Sequence, residues 1–240
     1  MKFDTPAGPN PVDRATLVGR AHPRIDGPLK TTGTAPYAFE HREGIENPAY
    51  GWIVGSAIAK GRIAAIDTAD ALAAPGVLAV VTADNAGKLG KGKMNTATLL
   101  GGPTIEHYHQ AIALVVAETF EQARAAGALI RVDYTRDGGE FDLENALKDA
   151  DRATDPNAAP APKENRVGSF EPAFEAAPIK LDAHYSTPDH SHAAMEPHAS
   201  TAAWEGEKLT LWTSNQMIAW AVRDMSETLL IPKEKIHVSS

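Results

Sequence analysis

The chain has 240 residues and a net charge of −8, with 31 acidic and 23 basic side chains, which disfavours binding to a phosphate backbone. Hydrophobic residues make up 43% of the sequence, enough for the core of one large domain or two small ones. Cysteine is absent, which excludes disulfides, cysteine nucleophiles and thiolate-based zinc or iron–sulfur sites within this sequence. The N-terminal sequence lacks the apolar segment of a signal peptide, and no apolar run is long enough to span a membrane.

The first part of the chain combines a polar arm with a region of predicted strands. Residues 1–25 are polar and rich in proline, which predicts an extended arm. Tyr37 and Phe39 then occur at the spacing of a strand. Short apolar runs bounded by turn residues predict strands at residues 51–58, 62–67, 77–82, 111–117 and 129–134.

Turn and capping signals connect these predicted strands. Lys60 and Gly61 predict a hairpin between the first two strands. Residues 68–74 are rich in alanine and precede a Pro-Gly pair, which favours a short helix. Thr119 and Gln122 form a capping-box pattern and predict a second helix that begins there.

The second part of the chain begins with a predicted linker, because residues 141–170 are rich in Ala, Asp and Pro and have no periodicity. Apolar side chains then share one face of a predicted strand at positions 179, 181, 183 and 185. A hairpin is predicted next, with Trp204 and Trp212 packing across its two strands. Residues 217–230 have the apolar stripe of a helix, and Pro232 precedes a last strand.

Residues 87–93 nearly match the phosphate-binding loop G-x-x-x-x-G-K-[ST], so a nucleotide-binding protein is one hypothesis. Met94 stands where the motif has the hydroxyl that ligates magnesium, and no clear amphipathic helix follows. We therefore interpret this segment as a flexible basic loop.

A group of histidines and one carboxylate is a second candidate site: His190, His192, Glu196 and His198. Histidine and carboxylate are suitable zinc ligands, but these spacings match no established motif. We therefore predict no metal site in this segment.

Several segments, in order, resemble the large, molybdenum-cofactor subunit of the xanthine oxidase family, and above all bacterial periplasmic aldehyde oxidoreductases. They are LVGRAHPRIDGPLKTTGTAPYAFE (17–40), GSAIAKGRIAAIDTADALAAPGVLAVVTADNAG (55–87), HYHQAIALVVAETFEQARAAGALIRVDY (107–134), and MEPHASTAAWEG followed by KLTLWTSNQ (195–216). The resemblance implies an α+β chain with an α/β-hammerhead domain at residues 26–140. The first part of a molybdopterin-binding domain would follow at residues 171–240. It also suggests buried hydrogen bonds for Glu196 and His198.

The function implied by the resemblance is oxidation of aldehydes to carboxylic acids with oxygen taken from water. The implied cofactor is molybdenum–molybdopterin in its cytosine dinucleotide form. Electrons would pass to 2Fe-2S or 4Fe-4S clusters and to FAD on partner subunits, so a heterotrimer with an iron–sulfur subunit and an FAD subunit is expected. A partner that carries a signal would bring the chain to the periplasm, and a cytoplasmic location is the alternative.

Gln216 is the single position to which the resemblance assigns a cofactor contact, a hydrogen bond from its amide to a molybdenum oxo ligand. A neutral amide can stabilise such an acceptor without adding a titrating group, and a strand end holds it firmly. The family's glutamate base and Gly-rich loop correspond to positions beyond Ser240. We therefore assign no catalytic residue and no metal ligand, and expect an inactive N-terminal fragment. The alternative is a non-catalytic module that docks the iron–sulfur and flavin subunits.

Overall fold

The computed structural model describes residues 8–42, 45–91, 100, 102–147, 167–194 and 198–240. The strands are β1 (Tyr50–Gly55), β2 (Gly61–Asp67), β3 (Val77–Thr82), β4 (Thr104–Ile105), β5 (Ala111–Ala117), β6 (Arg131–Arg136), β7 (Ser200–Glu205), β8 (Lys208–Thr213) and β9 (Ile236–Ser239). The α-helices are α1 (Gly27–Thr32), α2 (Ala69–Leu72), α3 (Phe120–Gly127), α4 (Leu143–Ala146), α5 (Phe170–Ala176) and α6 (Ile218–Leu229). Among the described residues, no helix combines the length and apolar character needed to cross a membrane.

The chain divides into two compact units. The first combines Met1–Glu46 with His198–Ser240, and the second is Asn47–Pro197. The predicted hammerhead domain begins at residue 26, whereas in this division residues 26–46 belong with the C-terminal segment. The predicted linker, residues 141–170, lies mostly outside the described residues. The predicted domain boundaries therefore stay predictions.

The second unit contains two three-stranded antiparallel sheets. In one sheet β5 lies between β1 and β3, and in the other β2 lies between β4 and β6. The central strand β5 is apolar throughout, and most of its residues are buried, because α2 and α3 cover one face of its sheet and residues of the second core cluster cover the other. One core cluster joins this sheet to α2 and α3: Ala71, Val80, Val115 and Ala126. A second cluster joins residues of both sheets: Ile58, Ile105 and Ile112, with Ile63 and Val132 packed against them.

The capping box predicted for α3 is confirmed. The Gln122 N–H donates to Thr119 Oγ1 at 3.2 Å, and the Thr119 N–H donates to Gln122 Oε1 at 3.0 Å. Gly127, the last residue of α3, lies so close to Trp52 of β1 that an added Cβ would be 2.6 Å from the indole ring. The strands predicted at residues 77–82 and 111–117 and the short helix within residues 68–74 are also confirmed.

The predicted hairpin at Lys60 and Gly61 is wrong, because β1 pairs with β5 while β2 pairs with β4 and β6. The connection between β1 and β2 takes the chain from one sheet to the other, and the buried Ser56 hydroxyl donates within it to the carbonyl of Ile58 at 2.9 Å. Gly61 has a φ of +144° and approaches β6 so closely that a Cβ would be 2.2 Å from the Thr135 carbonyl oxygen. Gly61 is therefore required by sheet pairing and not by a hairpin turn.

The strand predicted at residues 179–185 is also wrong. Ile179, Leu181 and Tyr185 are 88%, 78% and 82% exposed, and no strand among the described residues pairs with this segment. An isolated alternating segment has no ladder hydrogen bonds, so the pattern alone does not form a strand. A short helix that the sequence did not predict, α5, precedes it. Phe170 and Phe174 stack on that helix with ring centroids 5.3 Å apart, as residues four apart on a helix can.

The first unit contains the predicted β7–β8 hairpin, which turns at Gly206 with a φ of +58°. Its register places Trp204 opposite Leu209 and Thr201 opposite Trp212. Residues directly opposite each other share a face, so Trp212 lies on the face of Thr201. Thr201 and Trp204 are three residues apart on β7 and therefore point to opposite faces. The two tryptophans thus lie on opposite faces of the hairpin, and the predicted packing between them is wrong. The register follows from the tight turn, whereas the prediction considered only that the strands face each other.

The rest of the first unit is built around this hairpin. The predicted last strand is confirmed as β9, which pairs in parallel with β8, and the predicted helix is confirmed as α6. Tyr37 and Phe39 do not form a strand, because residues Ala38–Glu40 form a 3₁₀ helix. The Tyr37 N–H donates to Glu40 Oε2 at 2.8 Å and so caps that helix. Together, the two units have the predicted α+β class.

Candidate cofactor-binding site

The ends of two parallel strands mark the candidate site in the first unit. β8 continues through α6 into β9, and the register aligns Leu209 with Ile236 and Trp212 with Ser239. The carboxyl ends of β8 and β9 therefore meet at one edge of the sheet. In strand–helix–strand units of this kind, ligands characteristically bind outside the carboxyl ends of the strands.

Gln216 lies at this edge, in the connection between β8 and α6. Its side chain is exposed and makes no hydrogen bond to any described residue. The backbone on either side of it is held more firmly. The Met217 N–H donates to Asn215 Oδ1 at 2.7 Å, and the Asn215 N–H donates to Ser240 Oγ at 3.0 Å. The amide of Gln216 is thus free to meet a ligand from a fixed stretch of backbone.

Three further contacts hold the end of β8 and its hairpin partner β7 in place. The ring of His41 stacks on Trp212 with centroids 5.5 Å apart and an interplanar angle of 12°. The hydroxyls of Ser200 and Thr213 lie 2.8 Å apart across the hairpin. Thr201 Oγ1 on β7 donates to the carbonyl of Ala38 at 2.7 Å. Residues 38–41, which precede the second unit, therefore support the hairpin whose second strand ends near Gln216.

The chemistry available at this edge is neutral. The stretch from Trp212 to Val222 contains no charged side chain. Met217 provides no side-chain cap for α6, and the first turn of the helix has no acidic residue. The amide of Gln216 can donate to an oxygen acceptor, but no group in this stretch can act as a general acid or base. The residues present therefore offer an exposed hydrogen-bond donor, the Gln216 amide, that fits an oxygen acceptor of a ligand.

The other candidate residues do not form a site in the described part of the chain. His190, His192 and His198 are exposed, so the predicted burial of His198 is wrong. Glu196 lies outside the described residues, as do Lys93 and Met94 of the loop that resembles a phosphate-binding motif. No group of three His, Cys, Asp or Glu residues within the described ranges could hold a metal ion.

Sequence reasoning missed Asn215 and Ser240. The signal for Asn215 was present, because an asparagine shortly before an apolar helical stripe is a common start signal. Ser240 offered no such signal. Its contact with Asn215 depends on the parallel pairing of β8 and β9, which a single sequence does not specify.

Sequence models of two protein domains match this chain. "Aldehyde oxidase and xanthine dehydrogenase, a/b hammerhead domain" matches residues 32–137, and "Molybdopterin cofactor-binding domain" matches residues 151–240. The chain belongs to the xanthine oxidase family. The members of this family are molybdenum-containing oxidoreductases. The match to the molybdopterin cofactor-binding domain includes the edge that carries Gln216.

Individual proteins that are similar in sequence to this chain agree with both domain matches. The chain is 61% identical over its whole length to the aldehyde oxidoreductase molybdenum-binding subunit PaoC of Escherichia coli strain K12. It is 26% identical over 92% of its length to the nicotinate dehydrogenase large molybdopterin subunit of Eubacterium barkeri. The chain spans 32% of the length of the first relative and 53% of the second.

Solved structures share the fold. The aldehyde oxidoreductase from Desulfovibrio gigas matches 90% of the chain with a TM-score of 0.72 and 20% identity, and the match covers 26% of that protein. Quinoline 2-oxidoreductase from Pseudomonas putida 86 matches 90% of the chain with a TM-score of 0.70 and 25% identity, over 29% of its own length. The two domain models confirm the hammerhead and molybdopterin-binding assignments predicted from the sequence, and the solved structures agree in fold.

Proposed function

We propose that this chain belongs to the molybdenum-binding subunit of an enzyme that oxidises aldehydes to carboxylic acids with oxygen from water. The observation that carries the proposal is the exposed Gln216 amide at the carboxyl edge of β8 and β9, within the match to the molybdopterin cofactor-binding domain. The identity of 61% to a subunit named for aldehyde oxidoreductase supports the aldehyde as substrate class.

In this proposal the chain binds and orients, and it moves no proton. The molybdenum cofactor, when bound, supplies the redox chemistry. The Gln216 side chain donates its N–H to an oxygen acceptor of the cofactor, and the neutral amide keeps this contact unchanged with pH. The hydrogen bonds of Asn215 and Met217 hold the backbone from which that side chain projects.

We extend the proposal to the form of the cofactor, the partners and the compartment. The cofactor is molybdopterin cytosine dinucleotide. Iron–sulfur clusters and FAD are carried by two partner subunits in a heterotrimer, and a signal on a partner takes the assembly to the periplasm. The resemblance described above is the support for these points.

Co-expression of the full-length subunit with iron–sulfur and flavin subunits tests the proposal. Molybdenum content, conversion of an aromatic aldehyde to its acid, and release of cytidine monophosphate on acid hydrolysis are measured on the purified complex. The proposal predicts all three, and cell fractionation then tests the compartment. A complex that assembles with its partners but holds no molybdenum would refute the enzyme proposal and favour the docking module.

A further inference from the structure

The side chain of Gln216 is free, whereas the backbone that carries it is fastened on both sides. Asn215 Oδ1 accepts from the Met217 N–H at 2.7 Å, which closes a ring of atoms around the backbone of Gln216. Side chains of asparagine commonly make this contact two residues ahead and hold the intervening residue in a turn. The direction in which the Gln216 side chain leaves the backbone is therefore set by Asn215.

A second contact fastens this turn to the neighbouring strand. The Asn215 N–H donates to Ser240 Oγ at 3.0 Å, immediately after β9 ends. Because β9 pairs in parallel with β8, the turn is tied to the end of each strand, to β8 through the chain and to β9 through the hydroxyl. A turn with only one of these links could pivot about the end of β8.

We infer that Asn215 is a positioning residue for Gln216, and that the hydroxyl of Ser240 fixes Asn215 in turn. This inference rests on the proposed function, because it concerns how the cofactor-facing amide is aimed. An interaction that stabilises a reacting group only in one geometry loses much of its effect when misplaced by about 1 Å, a change that can cost roughly 10²-fold in rate. Neither residue touches the cofactor in this account.

The test uses the full-length subunit in its complex with partners, loaded with cofactor. Asn215→Ala removes the acceptor, and Asn215→Asp keeps an oxygen at the same position. Gln216→Ala reports on the proposed function itself. Lys208→Ala, at the opposite end of β8, is the matched surface control. Turnover per molybdenum, KM for the aldehyde, and hydrogen exchange of a peptide containing Met217 are measured for each variant.

Asn215→Ala is expected to lower kcat per molybdenum about tenfold or more, leave KM unchanged and speed exchange at Met217. Asn215→Asp is expected to restore the protection at Met217, because its carboxylate oxygen accepts the same N–H, and to recover kcat only in part, because it adds a negative charge to a neutral edge. If Gln216→Ala is impaired while Asn215→Ala turns over normally, the positioning role is wrong and the proposed function stands. If Gln216→Ala turns over like the wild type, the assignment of Gln216 fails, and the positioning role fails with it.

A second pair of variants, at Ser240, keeps the inference testable if the Asn215→Ala protein does not accumulate. Ser240→Ala removes the outer hydrogen bond, and Ser240→Thr retains a hydroxyl. We expect Ser240→Ala to lower kcat severalfold and Ser240→Thr to recover it. Equal turnover in both Ser240 variants and the wild type would overturn the link between β9 and the turn.

Discussion

Gly61 offers a sharp test of how closely β2 and β6 pair within their sheet of the second unit. Its φ of +144° costs an alanine roughly 1–3 kcal/mol, because side chains strain the backbone there. The Cβ of Gly61→Ala would also meet the Thr135 carbonyl oxygen at 2.2 Å. Relief of that contact requires β2 and β6 to separate by about 1 Å, which weakens one or two ladder hydrogen bonds worth about 1 kcal/mol each.

Backbone strain and weakened hydrogen bonds together predict that Gly61→Ala lowers the free energy of unfolding of the second unit by about 3 kcal/mol, or its Tm by about 6–12 °C. Gly87→Ala is the matched control, because Gly87 also has a positive φ, +74°, but a Cβ there would meet nothing within 4 Å. Strain alone predicts a loss of about 1–2 kcal/mol for the control. Differential scanning calorimetry compares the two variants. Equal losses would refute the close approach of Gly61 to β6.

Three further changes test the packing and electrostatics of the same unit. Val115→Ala opens a cavity at a fully buried position of β5 and is expected to cost about 2 kcal/mol in chemical denaturation. Gln110→Leu removes the side-chain partners of two backbone groups and is expected to cost about 2 kcal/mol by the same measurement. Asp67→Asn is expected to destabilise at neutral pH. The Ala69 N–H, and after it Arg131, hold the pKa of Asp67 below its ordinary 3.8.

The sign of the Asp67 effect follows from that lowered pKa. A carboxyl with a lower pKa in the folded state stabilises the protein above its unfolded pKa, and this contribution disappears as the pH falls through the folded value. The difference between wild type and Asp67→Asn should therefore shrink in denaturation curves taken below about pH 4. A constant difference from pH 7 to pH 3 would contradict this account.

If Val115→Ala or Gln110→Leu were as stable as the wild type, that result would contradict the described core.

Local patterns in the sequence predicted many elements of the fold. Val77–Thr82 and Ala111–Ala117 are apolar runs with clear ends, and the Thr119 capping box fixed the start of α3. The failures concern pairing between distant segments. The Lys60-Gly61 pair has the composition of a turn, but Gly61 pairs with β6, some 75 residues later. Local sequence signals do not encode the choice of so distant a partner.

At residues 179–185 the local pattern was present but the predicted element did not form. Its alternation is that of a strand, yet a strand exists only through hydrogen bonds to a neighbour, and none of the described segments pairs with it. At the candidate site, Gln216 was identified through resemblance to a family and not through periodicity. The contacts of Asn215 and Ser240 that hold its backbone appear only once β8 and β9 are paired.

The most direct measurement compares Gln216→Ala with Lys208→Ala in the full-length, cofactor-loaded complex, as aldehyde turnover per bound molybdenum. Both residues are exposed at opposite ends of the same segment, so general effects on stability are matched. The account predicts that Lys208→Ala behaves like the wild type. It predicts that Gln216→Ala loses about 10²-fold in kcat with molybdenum content retained, as expected when one hydrogen-bond donor to an oxygen acceptor at the reacting centre is removed. Equal turnover in the two variants would contradict the assignment of this edge as the cofactor site.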